Sequence, residues 1–267
     1  VRCSDEIFKQ LSQNYLKFRN TCKFCLDNLV GFDADHLVQP DEMLPLDKWA
    51  VTRLNTLIEK VFAAYDNYEF HVVSHMVNDF CVVDLSSFYF DIIKDRLYCG
   101  EENSLERRSA QSAVWMILDA MTRLFAPILA FTCDEVWLAM PHRAGDDARN
   151  VLLNQMVQPY AAYALSEEEM GKWARLAALR TAVNGALEQA RADKTIGKSL
   201  EAEVDLTVTA EDAFLTDMDA ADLADLLIVS QVRVEVGAEL TVAVRPANGA
   251  KCLRCWKFDT AVGEDGL

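Results

Sequence analysis

The feature that most restricts the fold of this chain is the helical spacing of its apolar residues. Between residues 5 and 140 they recur at intervals of three and four, the repeat that lines one face of an α-helix. The clearest stripe contains Leu54, Leu57, Ile58, Val61, Phe62 and Tyr65. Further stripes lie near residues 5–29, 70–93 and 114–125. Amphipathic helices joined by short loops predict an antiparallel helical bundle over residues 1–141.

Capping residues predict where several helices begin. Asp47 stands where an N-cap is expected, and Thr132 with Glu135 has the spacing of a capping box. Ser166 and Glu169 form a second box, which opens a helix that runs to about residue 192. We therefore expect one helix to begin at each of these three places.

The pattern changes from helical to mixed after residue 141. Residues 142–165 are mostly polar and predict an extended connector. The next region, 166–245, predicts a small α+β domain. After its first helix come a strand, an acidic helix and two β-rich runs, at residues 202–209, 211–227, 228–236 and 240–244. Residues 246–267 form a tail, so the predicted fold class is mainly α.

The charge pattern gives two opposing indications about nucleic acid. The net charge of −16 argues against a dedicated nucleic-acid binder, although local clusters matter more than the total. A first polar and basic cluster contains Lys17, Arg19, Asn20 and Lys23. A second contains Arg175, Arg180, Arg191, Lys194 and Lys198. Such cations can neutralise phosphates or can form the charged outer face of a helix, and charge alone leaves both readings open.

The cysteines and the apolar runs predict the cellular compartment. Six of the eight cysteines are scattered, several within apolar helical patterns where a free thiol acts as a small hydrophobic group. The sequence has no secretory signal and no run of eighteen apolar residues. We therefore expect a cytoplasmic protein with reduced thiols and no membrane partner.

Cys252 and Cys255 differ from the other cysteines because they form a C-x-x-C pair on a turn. Two such pairs bind Zn²⁺ through four thiolates, but no second pair follows before residue 267. The pair is therefore half of a zinc site in a truncated ribbon, an incidental pair, or a redox pair. The first reading is favoured, because a redox pair is expected inside a βαβ pattern.

Five segments resemble motifs of bacterial isoleucyl-tRNA synthetases, and they occur in the same order. They are YLKFRNT at 15–21, DLSSFYFDIIKDRLY at 84–98, APILAFTCDEVW at 126–137, IGKSLEA at 196–202 and CLRCW at 252–256. Together they cover almost the whole chain. The chain thus resembles the C-terminal region of that family, from its anticodon-binding bundle onward.

The resemblance implies a function in reading tRNA. The bundle would be of the class I synthetase anticodon-binding type, and it would dock on the anticodon stem and loop of isoleucine tRNA as a monomer. The two basic clusters would then contact RNA, mainly its phosphates, while Arg254 and Trp256 would contact and stack on loop bases. For Trp256, packing within the ribbon is an equal alternative. Zinc would belong to the longer synthetase and be incomplete here.

The sequence also departs from the synthetase pattern. It holds neither the H-I-G-H nor the K-M-S-K-S motif of class I synthetases, and no Rossmann pattern. ATP and magnesium would therefore be used only by a catalytic domain elsewhere, and this region would be part of an isoleucine–tRNA ligase without being catalytic itself. The competing hypothesis is an acidic helical scaffold for protein interactions that binds no RNA.

Overall fold

The computed structural model describes residues 3–263 and divides the chain into two compact units, with the boundary between Leu165 and Ser166. The first unit is helical. Its α-helices are α1 (Asp5–Asn28), α2 (Pro45–Asp66), α3 (Phe70–Asp79), α4 (Phe90–Cys99), α5 (Leu105–Phe125) and α6 (Ala130–Ala139). The predicted mainly helical architecture is confirmed.

A π-helical segment, Phe80–Tyr89, joins α3 to α4 without a break in the helical backbone. The helix predicted over residues 70–93 is therefore longer than expected and wider in its middle. Ser86 Oγ donates a hydrogen bond to the carbonyl of Cys81, five residues earlier, at 2.8 Å. The hydroxyl thus satisfies a main-chain acceptor within the widened turns.

Helix α5 forms the centre of the first unit. It is buried on nearly every side, and Trp115 is fully buried on it. The Trp115 indole N–H donates to the carbonyl of Pro141 at 2.8 Å. On α6, Trp137 is equally buried, and its N–H donates to the carbonyl of Asp147 at 3.0 Å. Both large side chains therefore bury their rings without leaving a polar N–H unpaired.

The N-cap prediction for Asp47 is wrong. Helix α2 begins at Pro45, and Asp47 lies inside its first turn with a fully buried carboxylate. That carboxylate accepts hydrogen bonds from the Ser109 hydroxyl at 2.6 Å, the Tyr89 hydroxyl at 2.7 Å and Arg96 at 3.3 Å. Burial raises the pKa of Asp47, and these three donors oppose the rise. Asp47 therefore links α2 to more distant helices.

The capping box predicted at Thr132 is also absent. Helix α6 begins at Ala130, its N-cap is Leu129, and no side chain caps it. The backbone N–H of Leu129 already bonds to the carbonyl of Phe125 at 2.9 Å, so the chain keeps turning after α5 and enters α6 early. The box predicted at Ser166 is confirmed, because both of its hydrogen bonds with Glu169 form.

Residues 142–165 belong to the first unit and pack on α2. The Tyr160 N–H donates to Asn55 Oδ1 at 2.7 Å, and the Leu165 N–H donates to the Thr52 hydroxyl at 2.9 Å. Two 3₁₀ turns, Val151–Leu153 and Ala161–Tyr163, interrupt the segment. The predicted connector is thus part of the helical unit and lies along the surface of α2.

The second unit combines helices with a small mixed sheet. Its main elements are α7 (Glu167–Ala192), β1 (Ala202–Val208), α8 (Ala220–Leu227), β2 (Gln231–Val236) and β3 (Thr241–Pro246). The strand order is β2-β1-β3, with β2 parallel and β3 antiparallel to β1. A parallel neighbour requires a crossover, which α8 supplies with the preceding 3₁₀ segment Ala210–Asp217.

The predicted tail contains a short hairpin of β4 (Ala250–Lys251) and β5 (Phe258–Asp259). The C-x-x-C pair lies in the turn between these strands. The Phe258 N–H donates to the Ser230 hydroxyl at 2.7 Å, and Lys257 forms an ion pair with Asp225. The hairpin is therefore attached to the residues that connect α8 to β2.

Candidate nucleic-acid interface

Trp256 is the centre of the most distinctive surface in the second unit. Its side chain is 56% exposed. The Lys198 Nζ lies 5.6 Å from the centroid of its ring system, and the Lys251 Nζ lies 5.7 Å from it. Both distances are within the range of cation–π attraction. We call Trp256, Lys198 and Lys251 the tryptophan–lysine cluster.

The hairpin turn determines the position of Trp256. The Cys252 N–H donates to the carbonyl of Lys257 at 2.8 Å, and the Trp256 N–H donates to the carbonyl of Cys252 at 3.0 Å. This tight turn holds Trp256 at a φ of 67°, in the left-handed region. A non-glycine residue there costs roughly 1–2 kcal/mol. The turn therefore holds Trp256 in a backbone conformation that non-glycine residues disfavour, with its indole exposed.

A separate turn after α7 positions Lys198. The Glu201 carboxylate accepts hydrogen bonds from the N–H of Gly197 at 2.7 Å and from that of Lys198 at 3.2 Å. These two backbone bonds hold the pKa of Glu201 below its usual value. A Cβ atom at Gly197 would lie 2.9 Å from the same carboxylate, which explains the glycine. The IGKSLEA segment thus fixes the backbone that carries Lys198.

Cys252 and Cys255 have the donor chemistry of a metal site but an incomplete ligand set. The N–H groups of Cys255 and Arg254 hydrogen-bond the Cys252 sulfur and lower the pKa of its thiol. Within residues 3–263, no group of three or more potential ligands could hold a metal ion. A structural zinc site needs four ligands. The pair fits half of such a site and does not form a complete one.

The predicted cations of α7 separate into two groups. Arg175 forms ion pairs with Asp212, at 2.7 Å, and with Glu211. Arg191 pairs with Glu188 at 2.6 Å. Because these carboxylates already neutralise the two guanidinium groups, Arg175 and Arg191 are less available to bind phosphates. Lys194 is exposed and lies two residues after the end of α7, with a φ of 60°.

Arg180 is a correction to the predicted set. Its side chain is buried, with 7% of its surface exposed, and its Nε donates to the carbonyl of Leu226 at 3.0 Å. This bond satisfies one of the last carbonyls of α8, which have no partner within the helix. We therefore assign Arg180 a structural role and remove it from the candidate RNA contacts.

The predicted residues of α1 lie in the other compact unit and form their own group. Lys17, Arg19 and Asn20 are exposed. Lys23 is exposed as well and pairs with Asp27 at 2.6 Å. All four residues lie on α1, as the sequence predicts, and they are close together because residues 17 to 23 span less than two helical turns.

The structure brings together two predicted residues that are distant in the sequence, Lys198 and Trp256, and adds Lys251, which the sequence reasoning missed. The sequence analysis did not single out Lys251, although Lys251 lies in a short basic stretch with Arg254 and Lys257. Its position directly before the C-x-x-C pair was the available signal, since a residue at that place flanks the turn. Arg254 is exposed on the same turn.

Within residues 3–263, no α-helix combines the length and the apolar character needed to cross a bilayer.

Comparisons with known proteins identify the family of the chain. The family described as "Anticodon-binding domain of tRNA ligase" matches residues 47–206. The chain is 43% identical to an isoleucine–tRNA ligase of Geobacter sulfurreducens, 42% identical to one of Syntrophotalea carbinolica and 39% identical to one of Colwellia psychrerythraea. Each match covers 99% of this chain and 29% or 30% of the relative.

The chain thus spans about 30% of the length of these relatives. Their matched part is the C-terminal region, as the motif order predicts. The chain therefore belongs to the anticodon-binding domain family of tRNA ligases, and its resemblance to isoleucyl-tRNA synthetases is confirmed.

Proposed function

We propose that this chain recognises the anticodon stem and loop of isoleucine tRNA for a longer isoleucine–tRNA ligase, and that it has no catalytic activity of its own. The observation that carries the proposal is the tryptophan–lysine cluster in a member of the anticodon-binding family. Single-stranded RNA loops expose base faces between charged phosphates. An exposed indole with two ammonium groups close to its ring matches both chemical features.

The acidic total charge is compatible with this proposal because the cations are gathered locally. Lys198 and Lys251 lie beside the aromatic ring, and Arg254 is exposed on the same turn. Lys194, Lys17, Arg19 and Asn20 are further exposed candidates, whereas the exposed Lys23 and Arg175 already pair with carboxylates. Elsewhere the negative surface repels phosphates, so an RNA in contact with the chain is restricted to the basic areas.

The test is direct binding of isoleucine tRNA to the chain by gel shift or fluorescence at several salt concentrations. We expect weak binding that falls steeply with salt, because the association releases counterions from the phosphates. A tRNA with an unrelated anticodon loop on the same body is the matched control and should bind more weakly. Absence of binding to either RNA at low salt would favour the acidic scaffold instead.

We further propose that Cys252 and Cys255 supply two of the four thiolates of a zinc site in the longer ligase. The backbone N–H groups directed at Cys252 support a thiolate at that position. Zinc content measured after gel filtration should be well below one ion per chain for residues 1–267. A stoichiometric ion with four sulfur ligands in this chain would contradict the half-site proposal.

A cytoplasmic location and a monomeric state complete the proposal. All eight cysteines lie in the described part of the chain, and each is a free thiol, which supports a reducing compartment. Catalysis would require ATP and magnesium bound by another region. The isolated chain should therefore show no ATP–pyrophosphate exchange with isoleucine.

A further inference from the structure

The first half of α1 has an apolar face that the described residues of the first unit leave exposed. The stripe that begins with Ile7, Leu11 and Tyr15 continues along the helix, but the first buried residue of α1 is Phe18. Phe8 and Leu11 are each 58% exposed, and Ile7 is 42% exposed. From Phe18 onward the same face is buried in the bundle. The apolar face of α1 is therefore longer than the surface of the first unit that packs against it.

This face forms one wall of an open groove of about 630 Å³. Helix α3 and the region where α5 ends supply the other walls. The apolar lining includes Phe8, Leu11, Phe18, Val77, Phe125 and Leu129. Grooves of this size and composition are typical of sites that receive apolar side chains.

Polar side chains also line the groove. They include Asn78, and His71 and His75, which lie one turn apart on α3. The groove thus matches an occupant that is mainly apolar and carries polar groups that can hydrogen-bond with these side chains.

We propose that this groove receives a segment of the longer ligase from the part that precedes α1. The inference rests on the proposed function, since it requires that the chain be the C-terminal region of such a ligase. In the relatives, most of the chain lies before the matched region. A chain entering α1 arrives at Ser4, the N-cap, next to the exposed half of the helix that borders the groove.

A second copy of this chain is a poorer occupant. Each copy carries a net charge of −16, and Asp5 and Glu6 lie in the first turn of α1. Two such surfaces repel one another at moderate ionic strength. A segment of the same ligase is already tethered close to the groove, so its effective concentration is high.

The experiment measures the accessibility of the groove in two contexts. Leu11→Cys in a Cys3→Ser background is prepared both as residues 1–267 and within the full-length ligase that contains them. Maleimide labelling at position 11 is followed by peptide mass spectrometry. We expect labelling to be at least roughly tenfold slower in the full-length ligase, because reaction at a thiol depends on its exposure.

Leu152→Cys is the matched control, because Leu152 is 63% exposed and does not line the groove. Its labelling rate should be the same in both contexts. Equal labelling of Leu11→Cys in the two contexts would overturn the proposal. Labelling of the 267-residue chain that slows as its concentration rises would also overturn it, by showing self-association. Since no RNA is present, this result is independent of tRNA binding.

Discussion

One group of cations in the first unit and another in the second have different environments. In the first unit, the Arg123 side chain is 10% exposed and bonds to Asp119 and Asp146, each at 2.7 Å. Arg96 similarly reaches the buried carboxylate of Asp47. In the second unit, Lys198 and Lys251 lie beside an exposed tryptophan. The first pair of cations therefore supports the fold of its unit, whereas the second pair is available to a ligand.

This difference shows why total charge is a poor guide to RNA binding. Arg180 and Arg123 add to the count of cations, but carbonyls and carboxylates of the protein already occupy them. A cation that contacts RNA has to be exposed, and single-strand binding sites combine such cations with aromatic side chains on which bases stack. The comparison predicts that changes in the internal cations affect stability, whereas changes in the exposed cluster affect binding.

The largest effect is expected for Arg123→Ala. The substitution leaves Asp119, which is 1% exposed, without its ion-pair partner in a site where burial already raises its pKa. Removal of one partner of a buried pair costs about 3–5 kcal/mol. The guanidinium also lies 4.7 Å from the centroid of the Trp137 ring, and that contact is lost as well. Urea denaturation should show this loss as a lower midpoint.

Arg149→Ala is the control for that measurement, because the Arg149 side chain is 80% exposed and pairs with Asp147 on the surface. Exposed pairs contribute little to stability, because water screens the charges, so the midpoint should hardly change. Equal destabilisation by the two substitutions would mean that the distinction between internal and exposed cations does not hold in this unit.

Trp256→Ala should have the next largest effect, and it concerns binding rather than stability. Stacking of a base on an aromatic side chain contributes about 1–3 kcal/mol. The affinity for isoleucine tRNA should therefore fall by roughly 5- to 150-fold, with an unchanged thermal midpoint. Trp256→Phe retains a planar ring and should recover most of the affinity. Tyr98→Ala, which removes a 63% exposed aromatic side chain in the other unit, is the control.

The lysines of the cluster are expected to act mainly through the salt dependence. Each phosphate contact with single-stranded nucleic acid contributes roughly 0.7 to the slope of log K against log salt concentration. The double substitution Lys198→Ala with Lys251→Ala should lower that slope by roughly 1.4, if each lysine contacts one phosphate. Lys172→Ala is the control, because Lys172 already pairs with Glu168 at 2.9 Å. An unchanged slope in the double variant would restrict the lysines to a structural role.

Much of the fold follows from local sequence patterns. Helical spacing predicts α2 and α5, alternation predicts β1, and the Ser166 capping box predicts the start of α7. Asp47 and Thr132 were misassigned for a shared reason. Both look like caps locally, but tertiary contacts and the path of the preceding chain place them inside helices. A capping rule considers three or four residues, whereas the Asp47 site includes Tyr89 and Ser109.

The candidate site was only partly predictable for a similar reason. Trp256 and Arg254 belong to a recognisable motif, and Lys198 belongs to another. That Lys198 and Lys251 lie beside the same indole depends on the attachment of the β4–β5 hairpin through Ser230 and Asp225. Arg180 has the same local appearance as Arg175, and only the position of α8 makes it internal.

The smallest expected effect concerns the exposed pair of Arg149 and Asp147. Hydrogen bonds from the Arg149 side chain, and then from its backbone N–H, lower the pKa of Asp147 to about 2. A carboxyl whose pKa is depressed in the folded state stabilises the fold at pH values above its unfolded pKa. That contribution is lost as the pH falls towards 2.

In Arg149→Ala the backbone N–H remains, so the pKa of Asp147 should rise only part of the way to its ordinary value of 3.8. A carboxyl-carbon NMR titration of both proteins measures this rise. If the pKa of Asp147 stays at about 2 in the variant, the side chain of Arg149 does not lower it, and the exposed pair makes no contribution of this kind.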